Sequence, residues 1–394
     1  HGRLVPLIPI VSMASMVSFV PSPEVVISSL PRPAAAPATP ADRPAPSAAA
    51  PRGALPLVAA GVALARRPAR RARATVCRLG PTASAELLEV RSAEQGTASD
   101  VKPWQFLSGI AKDAARAWFV QRAEDRGIAW RFSVEKMQAQ QEELEAKYQE
   151  LRNESVAYPS YYVQPFHGYD EGNLSWRAAH ELEAATQSMC LGYYDGMTWQ
   201  DAQEEFRGAA RNSIRDYWEG SHGACAPQSL LDVGCSGGYS SQEMSKAFPS
   251  ASVTGLDLSP YFLSVAQQNF PQLRFVHANA EDTGLPSNSY DMVTLNFLLH
   301  ELPLEATRNV LSEALRLLKP GGVLAVLDVD PQRLAALPAF RRWAFQVTEP
   351  WCKEGEYFSL DLARELRGLG FEETTQSSND PVNTLTLARK RMEN

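Results

Sequence analysis

Residues 229–259 constrain the fold of this chain more than any other stretch. Ser229-Leu230-Leu231-Asp232-Val233 reads as an apolar strand with an acid near its tip, and Gly234-Cys235-Ser236-Gly237-Gly238 follows as a tight turn. A helical run then leads to a second apolar strand, Ser252-Val253-Thr254-Gly255-Leu256-Asp257, which ends in another acid. Asp257 lies 23 residues after Gly234, the length of one strand–turn–helix–strand unit. Such a unit brings the turn and Asp257 together at the strands' C-terminal ends, where a ribose diol sits when a cofactor lies on the first turn. A buried strand has no structural use for an ionised acid, so Asp232 is expected to face a polar ligand.

The same alternation continues. Strands are expected at 229–233, 252–257, 273–277, 290–296 and 322–328, and helices at 239–248, 260–269, 304–318 and 332–346. A last helix, 358–369, precedes two strands near 371–377 and 383–389. This pattern is that of an α/β fold, a doubly wound parallel sheet covered by helices on both faces, with its ligand crevice at the strands' C-terminal ends. Val276-His277-Ala278-Asn279-Ala280-Glu281-Asp282 follows the third strand, where a base-contacting loop belongs, and Leu318-Lys319-Pro320-Gly321-Gly322 turns into another apolar strand.

Together, Asp-x-Gly-Cys-Ser-x-Gly at 232–238, Gly-x-Asp-x-Ser at 255–259, Ala-Glu-Asp…Leu-Pro at 280–286 and Leu-Lys-Pro-Gly-Gly at 318–322 carry a family resemblance. They resemble the class I S-adenosylmethionine-dependent methyltransferases, in the type 11 branch that includes the quinone-biosynthesis C-methyltransferases. The resemblance covers 225–335 closely and 336–394 loosely. It departs at Ser236, which stands where the family's Gly-x-Gly-x-Gly has its middle glycine. The resemblance implies a Rossmann-like, mostly parallel sheet of seven strands with the last one antiparallel, S-adenosylmethionine as cofactor, and a small-molecule acceptor. On it, Asp257 meets the ribose hydroxyls and Leu258 packs on the adenine or ribose. Asp232 and the turn Gly234, Cys235, Ser236 and Gly238 hold the methionine moiety. Asn279, Ala280 and Glu281 lie near the adenine, and Asn296, at the fourth strand's tip, faces the cofactor. Two of these have plainer alternatives: Asp257 as a helix N-cap beside Ser259-Pro260, and Glu281 as a surface acid.

Methyl transfer to a positioned nucleophile is an in-line displacement on a sulfonium, for which a protein supplies orientation and a desolvated site. Neither a triad nor a metal is needed, and no Cys/His spacing suggests a metal site. His300, after the fourth strand, stands on the substrate side, where an imidazole of ordinary pKa accepts a proton from a phenol or hydroxyl. The alternative is a helix-start cap paired with Glu301. His167 is a rival base. The stretches Asp328–Pro331 and Thr348–Trp351 either close the pocket or are solvated connectors, and spacing does not rank them.

Residues 103–220 read as a helical extension. Apolar residues recur at helical spacing from Pro103 to Trp130 with Gly127 as a stop, and further helices are expected at 133–153, 175–191 and 198–218. Between them, Tyr158–Trp176 holds six aromatics, His167, two prolines and two glycines. Proline and glycine exclude a regular element, and a solvated loop does not normally carry so much apolar area. Tyr161, Tyr162, Phe166 and Tyr169 therefore either anchor the loop on the domain or wall an acceptor pocket as a lid.

Residues 1–80 contain ten Arg, no Lys, two acids (Glu24 and Asp42) and 13 of the 28 prolines. That composition is that of a targeting presequence, followed by a linker at 81–102 and then the extension and a cofactor-binding domain at 221–394. Two apolar stretches, 5–20 and the arginine-flanked 55–65, resemble a multipart plastid presequence and fall short of the roughly 20 residues that span a bilayer. Import into a plastid (chloroplast) is the expectation, and a low-complexity tail the alternative. With the first 80 residues so basic and the whole chain at −7, the body is acidic, which argues against nucleic acid as a partner and leaves peripheral membrane association open. Five scattered cysteines fit free thiols in a reducing compartment. The expected function is methyl transfer from S-adenosylmethionine to a small aromatic or isoprenoid-like molecule. The alternatives are O- or N-methylation of another metabolite, and a protein of this fold acting as a structural or assembly subunit of a membrane complex. The sequence does not indicate an oligomeric state.

Overall fold

Strand β1 (Ser229–Val233) is buried from Leu230 to Val233. A strand buried on both faces needs strands at its two edges and helices above and below it. The structure, a computed structural model, describes residues 109–194 and 196–392 and supplies both. The expected presequence and linker lie outside the described residues. β2 (Ser252–Asp257), β3 (Arg274–His277), β4 (Tyr290–Asn296), β5 (Leu318–Val329), β6 (Phe371–Ser378) and β7 (Asn383–Lys390) complete one seven-stranded sheet in the order β3-β2-β1-β4-β5-β7-β6. β1 to β5 are parallel, and β7 runs antiparallel to both β5 and β6. The chain winds outward from β1 to β2 and β3, then returns to β4 on the other side of β1. That reversal opens a crevice beyond the C-terminal ends of β1 and β4.

Alternation along each strand divides the core in two. Leu231, Leu324 and Val326 face one cluster, with Val310, Leu311 and Leu317 of α8 (Leu304–Leu317) and Leu366 of α11 (Leu362–Leu369). Leu230, Val323, Ala325 and Leu327 face the other, with Phe206, Ile214 and Trp218 of α5 (Trp199–His222), Met244 of α6 (Tyr239–Ala247) and Leu263 of α7 (Pro260–Asn269).

The extension adds α1 (Gly109–Asp125), α2 (Trp130–Ala139), α3 (Gln141–Leu151) and α4 (Trp176–Tyr193). Ser175 and Thr198 cap α4 and α5 through their side chains. Three expected helices differ. The one at 133–153 is two, broken where Gln140 bonds back to Met137 in a tighter turn. The one at 332–346 divides into α9 (Pro331–Ala335) and α10 (Ala339–Thr348), because Pro338 cannot lie inside a helix. The last begins at Leu362, where Asp361 caps it. β5 also starts earlier than expected, at Leu318, with Lys319 bonded to Asp291 on β4. Among the described residues no helix is long and apolar enough to cross a membrane, no cluster suits a metal, and Cys190, Cys225, Cys235 and Cys352 are free thiols.

Gly255 lets β2 pass under the turn. A Cβ there would lie 2.7 Å from Phe275 and 2.8 Å from Cys235 Sγ. Gly255→Ala should therefore cost about 1–3 kcal/mol in urea denaturation, and an unchanged midpoint would show that this contact relaxes freely.

Candidate active site

The turn after β1 is held by its own backbone. The Gly234 and Cys235 amides both donate to Leu256 O at 2.8 and 3.0 Å, and the Gly238 amide donates to Cys235 O at 2.8 Å. The Ser236 amide donates to Asp257 Oδ2 at 2.8 Å, and the Ser259 amide donates to Asp257 Oδ1 at the same distance. Gly234, Ser236 and Gly238 all have positive φ, so the serine takes a left-handed conformation that glycine would adopt more easily. Leu182 of α4 lies against Gly237, 2.7 Å from where a Cβ would be. The extension thus covers the turn.

Asp257 is 8% exposed at the rim of the crevice. Burial pushes its carboxyl up to about 6; the Ser259 and Ser236 amides oppose this, and the charges of Glu301 and Asp232 add to it. Asp232 differs from expectation. It does not open toward a ligand but is fully buried, accepting from the Ser240 and Ser241 hydroxyls, the Thr294 hydroxyl and the Asn296 amide at 2.6–3.1 Å. Its partners come from α6 and β4, so it organises the site from behind, and Asn296 turns its NH2 inward for the same reason. Cys235 likewise points its side chain into the core, packed with Leu230, Met244 and Phe275, and offers the crevice only backbone.

After β3, Asn279 Oδ1 accepts the Glu281 amide at 3.0 Å, and Ala280 packs on the core. Glu281 is bonded on both oxygens, to the Tyr161 hydroxyl at 2.6 Å and to Asn309 Nδ2 at 2.8 Å. The Leu258 carbonyl accepts His277 Nε2 at 3.1 Å, while His277 Nδ1 accepts the Asn153 amide at 2.9 Å. Burial lowers the pKa of this ring, which suits a neutral imidazole with its proton on Nε2. His277 thereby joins the end of α3 to the loop beside Asp257. Sequence reading quoted it without giving it a role, though a histidine at a strand's C-terminal tip was a usable signal.

The aromatic segment crosses this rim. Tyr161 bonds Glu281, Tyr158 lies 3.3 Å from His277 Nε2 and stacks on Tyr162 at 6.3 Å, and the Asn173 carbonyl accepts the Ser259 hydroxyl at 2.7 Å. Burial and the charges of Asp257 and Glu301 hold the Tyr162 hydroxyl well above its ordinary pKa. His167 Nε2 lies 3.3 Å from both Glu301 and Glu349, and Nδ1 is 3.2 Å from Asn173 Oδ1. Phe166 packs on the His167 ring at 4.1 Å. Tyr169 differs from the expected pocket wall: its hydroxyl donates to Glu181 of α4 at 2.7 Å and Arg116 covers its ring, so it anchors the segment to the extension. Trp176 packs against Tyr148 of α3 and Tyr261 of α7. One half of the segment lies on the rim and the other fastens it.

Neither histidine has the ordinary pKa expected of a base. Burial opposes charging of His300, but the charge and hydrogen bond of Asp328, 2.7 Å from Nδ1, outweigh it, with Glu349 and Glu301 adding, and its pKa rises to about 9. For His167 burial again opposes, and the Glu349 and Glu301 charges carry the ring well above its usual value. His300 is therefore mostly imidazolium at neutral pH, and the carboxylates beside His167 favour its charged form.

Residues 230–322 match a family described as a methyltransferase domain. Over 131 residues, 32% of this chain and 49% of the relative, the chain is 37% identical to trans-aconitate 2-methyltransferase of Methylobacterium radiotolerans. It is 35% identical to an uncharacterised methyltransferase of Synechocystis over 26% of this chain and 47% of that one. It is 36% identical to demethylmenaquinone methyltransferase of Listeria welshimeri over 26% of this chain and 44% of that one. The chain spans about half the length of the curated relatives it matches. Residues 230–322 are a methyltransferase domain, and S-adenosylmethionine is the cofactor that domain implies.

The residues present fit that cofactor. At the turn, the amides of Gly234, Cys235, Ser236 and Gly238 are already bonded within the protein, so the expected hold on the methionine moiety does not come from them. Asp257 stands at the β2 tip, where it would accept from a ribose diol. Only the ionised carboxylate accepts both ribose hydroxyls. Affinity for S-adenosylhomocysteine should therefore fall as pH drops through about 6, and at pH 5 be about tenfold weaker than at pH 8. Calorimetry across that range should show the acidic limb in the wild type and a flat profile in Asp257→Asn. A limb that persists in the variant would assign it to another group.

Proposed function

We propose that this chain transfers the methyl group of S-adenosylmethionine to a small acceptor of aromatic or isoprenoid-like character. The observation that carries this reading is the aromatic segment fastened across the crevice that Asp257 and the glycine turn define. When bound, the cofactor supplies an electrophilic methyl group on a sulfonium. The protein's part is orientation and exclusion of water. Asp232 fixes the turn and the β4 tip from within. Asp257 orients the ribose, and His277 and the Ser259–Asn173 bond hold the lid against the Asp257 loop. Tyr158, Tyr161 and Tyr162 cover the rim with their rings; the Tyr161 hydroxyl donates to Glu281, and the Tyr158 hydroxyl faces the Nε2–H of His277. The carboxylates beside His167 and His300 raise both pKa values, which opposes the role of base, and the ion pairs hold Glu301, Glu349 and Asp328 in place.

The similarity to a demethylmenaquinone methyltransferase supports a ring-bearing acceptor of the quinone kind. A second reading, methylation of a different metabolite, draws on the similarity to trans-aconitate 2-methyltransferase. This proposal includes import into a plastid directed by residues 1–80. Those residues fused to a fluorescent reporter should carry it into plastids, and a reporter left in the cytosol would remove that part of the proposal.

S-adenosylhomocysteine should bind with micromolar affinity, and Asp257→Ala should weaken it by about 1.5–3 kcal/mol, the scale of charge-assisted hydrogen bonds. Calorimetry that shows no binding to the folded wild type would overturn the enzymatic reading. Tyr161→Phe, which frees the lid from Glu281 while keeping the ring, should speed dissociation of S-adenosylhomocysteine several-fold in stopped-flow measurements. An unchanged rate would mean that the segment does not gate the site.

A further inference from the structure

We infer that Glu349 Oε2 accepts a hydrogen bond from the methyl acceptor, and so selects acceptors that carry a hydroxyl or N–H donor. The inference rests on the methyltransferase reading above and goes beyond it in assigning a recognition residue.

Glu349 ends α10 and is 2% exposed. Its Oε1 faces His167 Nε2 at 3.3 Å, and its Oε2 is buried with no partner. Of the six buried side-chain atoms without a partner among the described residues, it alone belongs to a carboxylate. An unpaired buried acceptor is destabilising, and more so when charged. Natural proteins rarely retain one without a use for it.

The neighbouring acids do not share this condition. Asp328 Oδ1 takes His300 Nδ1 and the Val329 amide, and its Oδ2 takes the Leu299 and His300 amides. Asp257 takes the Ser236 and Ser259 amides. Glu301 shares His167 with Glu349.

Place matters as much as vacancy. His167 belongs to the lid and bridges Glu301, which follows β4, to Glu349, which follows β5 and α10. The charge of Glu301 acts on Asp257 as well as on His167 and His300. Glu349 is joined through His167 to the lid segment, whose Asn173 carbonyl meets Ser259 beside Asp257. Its Oε1 is held by His167, so its second oxygen is a fixed acceptor. A donor on the acceptor molecule completes it, and a molecule without one leaves it unpaired, which is the strongest discrimination a buried polar group provides.

The test uses the full chain saturated with S-adenosylhomocysteine and two probes with the same ring, hydroquinone and 1,4-dimethoxybenzene, in ligand-observed NMR titrations. Hydroquinone should bind the wild type about tenfold more tightly than its donor-free analogue, and about tenfold more tightly than it binds Glu349→Gln or Glu349→Leu. In Glu349→Gln, which keeps an oxygen for His167, S-adenosylhomocysteine affinity should fall far less than hydroquinone affinity. Equal binding of the two probes to the wild type, no hydroquinone binding, or indifference to both substitutions would overturn the inference and leave an internal water as the partner of Oε2. If neither variant folds, the wild-type comparison of the two probes decides alone. Loss of S-adenosylhomocysteine binding in the wild type would instead remove the methyltransferase reading itself.

Discussion

The Asp232 carboxylate is fully buried, and four side-chain donors converge on it from α6 and β4. A buried ion is tolerated only where such partners surround it. Burial raises its carboxyl, and the Ser240, Ser241, Thr294 and Asn296 bonds bring it back toward its usual range. Because those partners lie on separate elements, satisfying one charge fixes the helix start behind the turn and the tip of β4 at once. The Ser236 amide can then meet Asp257, and the crevice acquires a defined edge.

A second set of charges acts above that edge. His167 lies between Glu301 and Glu349, and His300 lies on Asp328. Both rings are mostly removed from water, with His167 30% exposed, so the charge on each depends on the carboxylates beside it. The arrangement exchanges the proton-accepting role of histidine for a mechanical one. Two loops, one after β4 and one after β5, are tied to a single irregular segment, and that segment brings the aromatic rings over the crevice.

Much of this was legible in the sequence, and what was not has a common cause. The strands were readable because burial on both faces leaves an apolar run that ends in Gly, Asp or Asn. The rim position of Asp257 was readable from spacing alone. Asp232 was misread because an acid in a buried strand demands partners, and the sequence does not show that Ser240, Ser241, Thr294 and Asn296 supply them. The pKa of His300 was misjudged for the same reason: Asp328 is 28 residues away and becomes its neighbour only when β4 and β5 pair. Pro338 was a visible helix break that the periodic pattern around it obscured, whereas nothing local marks the break at Gln140. Spacing did not separate Tyr161, which reaches Glu281 on the rim, from Tyr169, whose partner Glu181 is on α4.

The central claim is that the segment 158–175 and the cofactor turn form one site. Hydrogen–deuterium exchange with and without S-adenosylhomocysteine tests it most directly. The account predicts slowed exchange in 234–240, in 257–259 and in 158–175 together, with 158–175 reverting in Asp257→Ala at the same ligand concentration. Protection confined to 234–259, with 158–175 exchanging as in the free protein, would contradict it.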